Sequence, residues 1–146
     1  MRAFTLLECM AAVALLALTA ATVAVRVSPS VESARMDDAR STVLDADARA
    51  RVLASRGAEV TLAVVDGRVL VWVGGGESPA VDRWLPDGVA VSLLNPDSRE
   101  AIAKLRVDRL SQSPDYILSV ESAGGRSGTL VAGLTGYAFA EEVSER

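Results

Sequence analysis

From Cys9 to Val25 the chain carries no charged residue, and no Pro or Gly interrupts it before Pro29. Ala and Leu dominate this run, and both are strong helix formers, so it reads as one helix. Counted from Phe4 to Val25 it has 22 residues, or roughly 33 Å at about 1.5 Å per residue. That length matches a hydrocarbon core of about 30 Å. A cleavable secretory signal is the alternative, with Thr19-Ala20-Ala21 as its small-residue cleavage site. Two features oppose it: the basic region shrinks to Met1-Arg2-Ala3, and a carboxylate, Glu8, stands where the apolar region should begin. A charge at the centre of a spanning helix costs ~3 kcal/mol, less near an end. Ionisable residues in such segments usually have a partner and a function. The sequence therefore predicts a retained transmembrane helix over 4–25, with Arg2 favouring a cytoplasmic N-terminus.

The remainder is acidic. Net charge over the 146 residues is −4, and Arg2 and Glu8 cancel, so the excess lies in 26–146. An acidic surface gives non-specific nucleic-acid binding no electrostatic help. Histidine is absent, which removes the commonest metal ligand and the usual neutral-pH general base. Cys9 is the only cysteine, so no intrachain disulfide forms, and in its apolar setting it reads as a small hydrophobe.

Over 31–56 the apolar positions Met36, Ala39, Val43, Ala46, Ala50 and Leu53 recur every three or four residues, one stripe of a helix. Five acids and five arginines occupy its other faces. Asp45–Arg49 and Asp47–Arg51 read as helix-supporting i,i+4 pairs, and Gly57 as the C-terminal stop. Pro29 predicts a kink at the junction with the first segment. The alanines suit close packing against a sheet better than a coiled-coil seam.

After Glu59 the period changes to two. Val60, Leu62 and Val64 alternate with their neighbours, Asp66-Gly67 supplies a hairpin turn, and Arg68–Val73 returns as a second strand. Further strands are expected at Val89–Leu94, Tyr116–Glu121, Thr129–Ala132 and Tyr137–Ala140, with turns at Pro86-Asp87-Gly88, Gly124-Gly125-Arg126 and Leu134-Thr135-Gly136. The stretch 97–112 reads as a variable insertion. Trp72 is expected in the core, with Trp84 open between core and contact surface. The fold class that follows is α+β: a long N-terminal helix, transmembrane in its first half, packed on a small antiparallel sheet or sandwich head of about six strands.

Ala3-Phe4-Thr5-Leu6-Leu7-Glu8 ahead of an apolar helix resembles the N-terminal signal of type IV pilins and type II secretion pseudopilins. Ala3 stands where that family usually has Gly. The order of the later elements, from Ala50–Gly57 through Leu85-Pro86-Asp87-Gly88-Val89 to Leu134-Thr135-Gly136, resembles the minor pseudopilins of the GspH/FimT group. The resemblance implies a leader over 1–3, an apolar helix over 4–25, an amphipathic continuation over 26–56 and a β-rich, sandwich-like head over 57–146. It implies cleavage between Ala3 and Phe4 by a prepilin peptidase, N-methylation of Phe4, and an assembly role for Glu8 as counter-charge to the new amine. It also implies a single-pass protein of the bacterial inner membrane with a periplasmic head, whose partners are that peptidase, other pilin-like subunits and lipid.

No nucleophile elbow, metal-ligand cluster or paired catalytic carboxylates can be read in the sequence. Asp66, Asp87 and Asp97 sit in turns, where carboxylates cap backbone N–H groups. Neither an enzyme nor a cofactor is expected. The leading expectation is a minor pseudopilin of a type II secretion-like system. The alternatives are a minor pilin of a pilus or DNA-uptake machine, with Arg126 as a candidate binding cation, and a membrane-anchored periplasmic binding domain.

Overall fold

The computed structural model describes residues 6–141, without the side chains of Leu7, residues 20–29 and Glu141. It opens with one helix, α1 (Leu6–Ala54), which continues through Pro29, so the junction does not end it. It stops at Gly57, whose φ of 90° lies in the left-handed region that favours glycine. The amide of Gly57 there donates to the carbonyl of Ala54 at 2.8 Å.

Eight strands follow in two antiparallel sheets. The first sheet holds β1 (Val60–Val65), β2 (Arg68–Val73), β3 (Val81–Trp84) and β5 (Leu105–Val107), in the order β3-β2-β1-β5. The second holds β4 (Val89–Leu94), β6 (Tyr116–Ser122), β7 (Gly125–Val131) and β8 (Ala138–Glu141), in the order β4-β6-β7-β8. In the β1–β2 hairpin Val65 pairs with Arg68. Asp66 and Gly67 turn it with φ of 50° and 70°, the two positive angles that a tight two-residue turn demands.

Both sheets close on the helix. Ala39, Val43, Ala46, Ala50 and Ala54 form its buried stripe. They meet Val60, Leu62, Val69, Val71, Leu105 and Val107 from the first sheet, and Leu93, Tyr116, Leu118, Val120 and Val131 from the second. Alanine at four of the five helical positions keeps the helix close to the strands, so one short row of side chains seals the seam between two sheets.

These observations correct the expected architecture. The head is not one sheet of about six strands but two sheets of four. Among the described residues, no helix is long and apolar enough to cross a membrane. From Glu32 onward α1 carries charges on its outer faces and packs on the head. It also carries Glu8 in its first turn. The transmembrane first half and the single-pass inner-membrane location are therefore withdrawn. The stretch 97–112 is not a mere insertion, since it supplies β5, whose Leu105 and Val107 are buried. Trp72 is only half-buried and stands outside the core cluster.

Candidate assembly surface

The first turns of α1 stand clear of the head. Leu6, Met10, Val13, Leu15, Leu16 and Leu18 are between 63% and 80% exposed. Leu15, Leu16 and Leu18 cannot share one face of a 3.6-residue helix, so this part is apolar all round. Thr19, the one hydroxyl among the described side chains here, donates back to the carbonyls of Leu15 and Leu16 at 3.0 and 2.9 Å. Its polarity is thus satisfied within the helix. Glu8 lies in the first turn, where a carboxylate meets the positive end of the helix dipole, worth about 0.3–1 kcal/mol near the surface. Ala3 and Phe4 lie outside the described residues.

At the other end, one arginine fastens the helix to the head. Asp47 and Arg51, four residues apart, look like a surface pair in sequence, but the side chains are 3% and 11% exposed and meet at 2.7 Å. Arg51 Nη1 also donates to the carbonyls of Ser111 at 2.9 Å and Gly133 at 2.7 Å. Its Nη2 donates to Ser113 Oγ at 3.1 Å, and Ser111 Oγ returns a bond to the Arg51 carbonyl at 2.9 Å. The last turn of α1 is thereby tied to the β5–β6 and β7–β8 loops together. The sequence signal for this was weak: an i,i+4 pair close to the apolar stripe, which burial converts from helix support into a tertiary lock.

Tyr116 completes the cluster. Its ring is fully buried, and neither its hydroxyl nor Asp47 Oδ1 has a hydrogen-bond partner among the described residues. Burial pushes the Tyr116 hydroxyl well above its ordinary value, the negative charge of Asp47 adds to that, and Arg51 opposes it. A phenol whose pKa is raised in the folded state contributes stability that is complete below its unfolded value, about 10, and that fades as pH rises beyond it. Tyr116→Phe keeps the ring and removes the unsatisfied hydroxyl. It is expected to leave stability at pH 7 unchanged or slightly raised, and to flatten the loss of stability above about pH 10. Denaturation midpoints measured from pH 7 to 11 check this.

Arg126 is exposed at the start of β7, and its Nε donates to Ser119 Oγ at 2.9 Å. The expected Gly124-Gly125-Arg126 turn is instead partly strand, because β7 begins at Gly125. The candidate cation is held on its own sheet by its neighbour through Nε alone. Trp84 is 73% exposed, with the Arg68 guanidinium 4.9 Å from its ring centre. Among the described residues, no group of three or more His, Cys, Asp or Glu side chains gathers to hold a metal.

Two adjoining cavities, of about 380 and 500 Å³, lie between α1 and β3 and share Asp45, Arg49 and Val81. Together they make one trough. Asp38 and Arg83 line its polar part, and Val52, Leu53 and Ala80 its apolar part.

Compared with protein-family models, curated proteins and solved structures, the chain matches none.

Proposed function

We propose that the chain is a subunit of a pilin-like assembly, a minor pseudopilin of a type II secretion-like apparatus. A prepilin peptidase cuts it between Ala3 and Phe4, and its N-terminal helix then packs among those of like subunits. The observation that carries this reading is the exposed apolar start of α1. A helix apolar on every side is stable when neighbours surround it, and the head leaves all of Leu6, Met10, Val13, Leu15, Leu16 and Leu18 uncovered. The Phe-Thr-Leu-Leu-Glu motif at the same end supports the choice of neighbours.

Cleavage would create an α-amine on Phe4, about one helical turn from Glu8. Opposite charges buried together in a helix bundle cost far less than either alone, so a Glu8–amine pair fixes the axial offset between neighbouring subunits.

Co-expression with an active prepilin peptidase, followed by mass spectrometry of the N-terminus, tests the proposal. The expected product lacks Met1-Arg2-Ala3 and begins with methylated Phe4. A chain left intact beside a peptidase that processes a control substrate sinks it. Glu8→Ala is expected to be cut at the wild-type rate yet to be recovered from the assembly at a small fraction of the wild-type level. Normal recovery would remove the pairing role.

A further inference from the structure

We draw no further inference here: the strongest candidate, the trough between α1 and β3 with Asp38, Asp45, Arg49 and Arg83 in its polar part and Val52, Leu53 and Ala80 in its apolar part, lies open to solvent with all four charged side chains exposed, and nothing in the structure shows what covers it.

Discussion

Arg51→Ala is expected to destabilise the protein by about 3–5 kcal/mol, the usual effect of removing one partner from a buried ion pair. Asp47 is 2% exposed, so without the guanidinium its charge has neither water nor a cation. The Ser111 carbonyl loses its donor in the same step, and the Gly133 carbonyl keeps only the Ser113 amide. Domains of this size are stable by about 5–15 kcal/mol, so the loss removes a large share of the total. The exposed pair Asp45–Arg49, 3.9 Å apart, is the internal control. Arg49→Ala should cost no more than about 0.5 kcal/mol. Urea denaturation of the two variants decides the matter, and equal midpoints would show that the Arg51 cluster is no lock. Replacing the pair together, Asp47→Leu with Arg51→Met, should recover much of the loss, because apolar side chains leave no charge to desolvate. The loop carbonyls still lack the guanidinium, so recovery stays incomplete.

The second large effect is expected at Gly133. A Cβ there would overlap the Ser113 carbonyl oxygen and lie 2.6 Å from the Pro114 carbonyl carbon. Both are backbone atoms, so no side chain can swing aside. The segments are also bonded on either side of the contact: Ser113 N donates to the Gly133 carbonyl at 3.0 Å, and Gly133 N to Asp115 Oδ1 at 2.6 Å. Gly133→Ala must part them, which also pulls the Gly133 carbonyl from Arg51. The expected destabilisation is at or above the upper end of the overpacking range, about 3 kcal/mol, with poor soluble yield. Gly76→Ala is the comparison, since its nearest neighbour, the Val73 carbonyl oxygen, is 3.4 Å away. It should shift stability by less than about 0.5 kcal/mol. Thermal melts of both variants give the answer, and a wild-type melt for Gly133→Ala would refute the packing argument.

Reading the sequence found the parts of this fold that local chemistry dictates. The β1–β2 hairpin announces itself through period-two valines and an Asp-Gly turn. The helical stripe Ala39, Val43, Ala46, Ala50 follows from spacing alone and is fully buried. β3 was invisible because Asp82 and Arg83 interrupt any alternation, which suits an edge strand and hides it. β5 has three residues, too few for a period to show. β7 starts among glycines that read as a turn. The division into two sheets was out of reach for a different reason: alternation tells which face is apolar, not which strand lies alongside. The transmembrane expectation came from the 22-residue length of the stretch 4–25 and its lack of charge after Glu8. At the site, Glu8 was legible as a charge out of place. The burial of Asp47 and Arg51 was not, since a pair at i,i+4 looks the same in solvent and in a core.

The unbroken run of α1 into the Arg51 cluster has a mechanical consequence. At ~1.5 Å per residue, the helix from Leu6 to Ala54 is a strut of roughly 70 Å. A pull at its first turn travels along it to the head, where Arg51 grips the loops leading into β6 and β8. The load is carried in shear across several hydrogen bonds at once, and not by peeling one strand at a time. Tension applied to the helix would therefore enter the second sheet through two loops at once.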